Sequence, residues 1–84
     1  MHNVDMEIVM YSRETELDSA ALGHYLTAIG VDFRTRQVDH DPAAKSEWER
    51  LDGRVTPVLV IDRTSIVHGL ERTRVDQLLG LVGC

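Results

Sequence analysis

Cysteine is nearly absent. One residue, Cys84, stands in a chain of 84, which excludes a disulfide within these residues and any cysteine-rich metal centre. A basic balance is missing as well. Nine Lys and Arg face fourteen Asp and Glu, for a formal net charge of −5. The electropositive face of a nucleic-acid binder is therefore not expected. No apolar run nears the roughly 20 residues of a membrane-spanning helix, and the first residues lack the basic region and long apolar core of a secretion signal. The expectation is a cytoplasmic protein with no membrane or nucleic-acid partner. Repeats, low-complexity tracts and linkers are absent too, so residues 1–84 read as a single domain. What is present is the composition of an ordinary globular protein, 43% hydrophobic and 27% charged. A chain this short buries only a small core, so stability requires a compact layered fold.

Apolar periodicity supplies the elements. Met6 to Tyr11 reads as a strand, and the run Ile8, Val9, Met10 suits one covered on both faces. Thr15 and Asp18 fit the N-cap and N3 positions of a capping box. Leu22, Tyr25, Leu26 and Ile29 then recur at helical spacing, and Gly30 follows where a left-handed C-cap belongs. Gly23 interrupts this helix at a cost of about 1 kcal/mol relative to Ala. Val31 to Asp39 holds a second strand, anchored by Phe33 and Val38, whose polar centre predicts a sheet edge. Asp41 and Pro42 open a second helix as N-cap and N1, with Ala44, Trp48 and Leu51 on its apolar face and Asp52-Gly53 at its end. Val58 to Ile61 is an interior strand, residues 62–64 a tight turn, and Ser65 to His68 the second arm of a hairpin. Gly69 breaks that arm. Thr73 and Asp76 predict the start of a last helix, with Val75, Leu78, Leu79 and Val82 buried. The order β-α-β-α-β-β-α implies an α/β fold. A parallel crossover joins the first two strands and a hairpin joins the last two, in a mixed four-stranded sheet with helices on both faces.

One stretch draws attention to chemistry. Between Met10 and Ser19 a strand feeds directly into a helix N-terminus, where free backbone N–H groups and the helix dipole favour anions and thiolates. This turn holds Glu14, Glu16, Asp18 and Ser19 but neither cysteine nor histidine.

The sequence resembles the glutaredoxin family, and hence the thioredoxin-like fold, at four points. Tyr11-Ser12-Arg13-Glu14-Thr15 is similar to the family's lead-in to its Cys-x-x-Cys. Val38 to Pro42 resembles its strand-to-helix junction. Gly53-Arg54-Val55-Thr56-Pro57 resembles its cis-proline loop, and Gly69 to Arg72 the turn after its fourth strand. Under this resemblance Glu16 and Ser19 occupy the two cysteine positions. Neither side chain can form a mixed disulfide, so thiol–disulfide exchange is not expected, nor is a thiolate-held iron–sulfur cluster.

The resemblance implies a groove lined by Arg13, by Val55, Thr56 and cis-Pro57, and by Gly69, Leu70 and Glu71. It would take a protein or peptide strand, with glutathione a weaker candidate because three carboxylates crowd the helix start. No other cofactor is implied. No metal site is expected either: Asp39, His40 and Asp41 lie in a turn where Asp41 has a capping role, and His24 and His68 lack supporting ligands. Two alternatives stay open, an enzyme using Glu16 or Ser19 as acid, base or nucleophile, and residual thiol chemistry through Cys84.

Overall fold

A computed structural model describes residues 7–80. In chain order the elements are β1 (Ile8–Ser12), α1 (Leu17–Ala28), β2 (Arg34–Gln37), α2 (Pro42–Arg50), β3 (Val58–Ile61), β4 (Ser65–His68) and α3 (Arg72–Leu79). The sheet order is β2-β1-β3-β4. β1 pairs parallel to β2 and antiparallel to β3, and β3 and β4 form an antiparallel hairpin. The polar strand β2 lies at one edge, as its charge predicts.

The pleat divides the core in two. Ile8 and Met10 of β1, Leu59 and Ile61 of β3 and Val67 of β4 point to one face, where Leu22 and Leu26 of α1 and Val75 of α3 cover them. Tyr11 and Val58 point to the other, under Trp48 of α2, with Val9, Val60 and Leu51 packed around them. Leu22, Leu26 and Leu59 are wholly buried, each worth roughly 1.5–3 kcal/mol of hydrophobic stabilisation. Alternation along β1 and β3 thus explains the apolar runs: both faces are covered.

Several boundaries differ from the sequence reading. β1 starts at Ile8 and runs on through Ser12; Met6 lies outside the described residues, as do Val82 and Cys84. β2 is shorter than Val31–Asp39, with Phe33 and Val38 just beyond its two ends. Thr15 does not cap α1. Glu16 is the N-cap residue, in extended conformation, and it makes no side-chain cap bond. Its carboxylate is engaged across the fold instead, which leaves the capping box unformed. Thr73 does not cap α3 either. Gly69, at φ 84°, reverses the chain, Leu70 packs on the core, and the helix begins at once with Glu71 as N-cap.

Asp41 caps α2 as expected, accepting from Ala43 N–H at 3.0 Å and Ala44 N–H at 3.4 Å. Gly53 ends that segment for a steric reason. A Cβ there would lie 2.5 Å from the Trp48 ring and from the Trp48 carbonyl oxygen. In the hairpin, Asp62 (φ 54°) and Arg63 (φ 67°) are both left-handed, and Thr64 N–H donates to Ile61 C=O at 3.2 Å. This is a type I′ turn, whose twist matches the strands it joins.

A polar network ties β1, β2 and α2 together. Tyr11 Oη donates to Glu47 Oε1 at 3.0 Å, and Arg36 Nη2 donates to Glu47 Oε2 at 2.7 Å. The Tyr11 and Arg36 bonds hold the Glu47 carboxyl below the usual carboxylate range. Burial, then the bond to Glu47, raises the Tyr11 phenol.

Two outcomes are expected. Asp41→Ala should lower stability by about 1 kcal/mol in urea unfolding, whereas Thr15→Ala and Thr73→Ala should change it by no more than about 0.5 kcal/mol. The second concerns acid. Because the folded-state pKa of Glu47 is depressed, its contribution is complete above the ordinary glutamate range near pH 4.3, and is lost as pH falls through the folded-state value. Stability of Glu47→Gln measured against pH should therefore fall less steeply in acid than that of the natural chain.

Candidate functional site

The turn between β1 and α1 faces the loop before β3, and the two are joined by side chains. Glu16, at the α1 N-cap, accepts from Ser19 Oγ at 2.8 Å and also from Thr56 Oγ1. Ser19 Oγ in turn accepts from Arg13 N–H at 3.4 Å. Arg13 Nη1 donates to Thr56 Oγ1 at 3.0 Å. The Thr56 hydroxyl thus donates to one side of the turn and accepts from the other. Ser19 is 3% exposed and Thr56 4%, so these are buried polar groups with their partners supplied, as buried hydroxyls require.

Trp48 holds the loop from the opposite side. Its Nε1–H donates to Val55 C=O at 2.9 Å. The Arg13 guanidinium lies over the indole, 5.2 Å from the ring centroid, within cation–π range. Sequence reasoning assigned Trp48 to the core, and it is buried there, but it also positions Val55 and Arg13. Nothing in the local sequence signals this, because Val55 approaches the indole only after α2 has docked.

The Thr56–Pro57 peptide bond is cis. Neither the N–H nor the C=O of Thr56 makes a backbone hydrogen bond among the described residues. The Pro57 carbonyl accepts from Gly69 N–H at 2.7 Å, which brings the third expected segment alongside. The structure thus gathers Arg13, Glu16, Ser19, Thr56, Pro57 and Gly69 at one end of the sheet. Leu70 packs against the core, and Glu71 is exposed at the start of α3. Val55 is 46% exposed.

Glu14 meets His40 Nε2, and Asp39 Oδ2 accepts from Glu14 N–H at 3.2 Å. Among the described residues no group of three or more His, Cys, Asp and Glu could hold a metal ion. Ser19 and Glu16 have the hydrogen bond of a nucleophile–base pair. The hydroxyl is enclosed, however, and the carboxylate is shared with Thr56. A second opening of about 330 Å³ lies elsewhere, on the α2 face of the sheet. Its arginines are already paired: Arg63 Nε with Glu7 at 2.8 Å and Arg36 with Glu47.

The strand order, the helices on both faces and a helix N-terminus opposed to a proline loop together define a domain of the thioredoxin-like fold. The glutaredoxin family model matches residues 8–66, and the chain belongs to the glutaredoxin family. No curated protein matches it. Among solved structures it is similar to a mutant of the thioredoxin-like protein BC3987, with TM-score 0.83 and 25% identity over 89% of this chain and 96% of that one. The glutaredoxin of Methanosarcina mazei Go1 is similar at TM-score 0.78 and 21% identity, over 88% of this chain and 78% of that one. Methanoredoxin of Methanosarcina acetivorans is similar at TM-score 0.72 and 25% identity, over 88% and 84% respectively.

If the turn and loop are held by one network, its members should be coupled. Ser19→Ala leaves Arg13 N–H and the Glu16 carboxylate short of a partner and should cost about 1–2 kcal/mol in urea unfolding. Combined with Glu16→Ala, the loss should fall short of additive by about 0.5 kcal/mol or more.

Proposed function

We propose that this glutaredoxin-family chain is a binding module without thiol–disulfide chemistry, related to proteins of cell redox homeostasis and working in the cytoplasm. The observation that carries the reading is the engagement of Glu16. At one of the two positions that correspond to the family's cysteines stands a carboxylate hydrogen-bonded to the residue at the other, Ser19, and to Thr56 of the proline loop. A nucleophilic thiolate has no counterpart in this arrangement.

The ligand in this reading is an extended peptide segment. The N–H and C=O of Thr56 make no backbone hydrogen bond among the described residues, which is what strand addition uses. Thr56 is 4% exposed and its hydroxyl is bonded to Arg13 and Glu16, so in this reading a ligand displaces them to reach its backbone. Glutathione ranks below an uncharged peptide, because its carboxylates would approach Glu14, Glu16 and Asp18.

NMR titration tests the groove. A short uncharged Val/Thr-rich peptide should shift the amides of Thr56 and Gly69, with glutathione weaker. Glu16→Ala should bind the peptide about fivefold more tightly, the equivalent of one net hydrogen bond of about 1 kcal/mol no longer displaced. Shifts at neither residue with either ligand would remove the groove from consideration. In a glutathione-coupled disulfide reduction assay, turnover should not exceed background. Turnover abolished by Cys84→Ser, or by Glu16→Gln with Ser19→Ala, would replace this reading with an enzymatic one.

A further inference from the structure

On the other side of α1 from the proline loop, a cavity of about 270 Å³ opens between that helix and the edge strand β2. Its floor is the sheet face. Met10 pairs with Thr35 and Ser12 with Gln37 across β1 and β2, and the pleat turns these four side chains toward α1. Gly23 lies on the helical wall and Phe33 at one end.

Two features of this cavity are unexplained by the fold alone. The first is Ser12, which is 3% exposed. Ser19 and Thr56, the other buried polar residues, have hydrogen-bond partners, but Ser12 Oγ has none among the described residues. A buried hydroxyl left unpaired costs about 1–3 kcal/mol. The second is Gly23, in the interior of α1. A Cβ there would meet Met10 Cε at 3.6 Å and Phe33 Cζ at 3.7 Å, ordinary van der Waals contacts. Packing therefore does not demand glycine, although glycine costs the helix about 1 kcal/mol relative to alanine. The volume that a side chain would take is cavity.

We propose that this cavity between α1 and β2 binds a small uncharged aromatic amide. The size admits a single ring, being just below the roughly 300–1,000 Å³ of sites for drug-sized ligands. The floor offers hydroxyls at Ser12 and Thr35 and a carboxamide at Gln37, groups that donate and accept along one line and match an amide edge. Phe33 and the Met10 thioether supply an apolar, polarizable surface for a ring. The floor itself carries no charged group: of the charged or titratable side chains that line the cavity, Arg13 is engaged with Thr56 and Trp48 and Glu14 with His40, and His24 is exposed on α1. Arg13 and Ser19 also line this cavity, so it adjoins the network around the proline loop, whereas Thr56, Pro57 and Gly69 are not part of its lining.

The test is a 15N–1H NMR titration of the whole chain with benzamide and, as the charged match, benzoate. Benzamide should give saturable shifts at Ser12, Gly23 and Gln37 and leave Gly69 unmoved. Benzoate should bind at least about tenfold more weakly, the cost of about 1.4 kcal/mol for an unpaired charge. Ser12→Ala should weaken benzamide about fivefold. Gly23→Ala should raise the unfolding midpoint while weakening benzamide, a combination that a merely structural glycine would not produce, and Gly23→Leu should abolish binding. No saturable shift, equal binding of benzoate, shifts centred on Thr56 and Gly69, or undiminished binding by Gly23→Ala would each overturn the proposal.

Discussion

The hydrogen bond from the Trp48 indole to the Val55 carbonyl is the contact on which the arrangement of the site depends. The indole is buried against Tyr11, Val38 and Val58, so its N–H must find an acceptor inside the protein. The acceptor lies in the loop just before cis-Pro57. The same ring carries the Arg13 guanidinium on its face, and Gly53 is excluded from having a side chain by the ring beside it. One large side chain on α2 thereby sets the distance between the β1–α1 turn and the proline loop. Thr56 and Arg13 then meet without further constraint.

Glu16 accounts for the other half of the arrangement. A carboxylate at a helix N-terminus is favoured by the dipole, and the simplest expectation is an exposed capping role. Here the side chain reaches across to Thr56 and back to Ser19. The helix start goes without its own side-chain cap. The buried hydroxyls of Ser19 and Thr56 are satisfied by this rearrangement. At the β1–α1 turn the chain has built a closed polar contact between two segments that are far apart in sequence.

The two faces of the sheet are covered unequally, and this decides where open volume remains. α1 and α3 share one face, while α2 alone covers the Trp48 end of the other. The edge strand β2 is exposed at Arg34 and Thr35. Cavities consequently border β2 on each side. On the α2 side, charges fill the margin and pair with one another. On the α1 side, the sheet floor holds the neutral polar side chains of Ser12, Thr35 and Gln37.

Much of the architecture was legible in the sequence because it depends on local rules. Alternation and continuous apolar runs identified β1 and β3 as interior strands, and the polarity of residues 34–37 identified an edge. Asp41-Pro42 marked a helix start that the structure reproduces, since the cap uses residues two and three positions away. Thr15 and Thr73 misled for the converse reason. Each fits a capping pattern, yet the helix start was determined by where Glu16 is drawn across the fold and where Gly69 reverses the chain. The family was likewise readable from short motifs in order. What the tertiary structure decided was the set of partners. Thr56 is 40 residues from Glu16, Arg13 is 43 from Thr56, and no periodicity encodes which hydroxyl a carboxylate will meet. Those contacts follow from sheet register and helix docking, whereas the absence of cysteine from the turn was visible in the sequence. The contacts made there by Glu16, Ser19 and Thr56 were visible only in the fold.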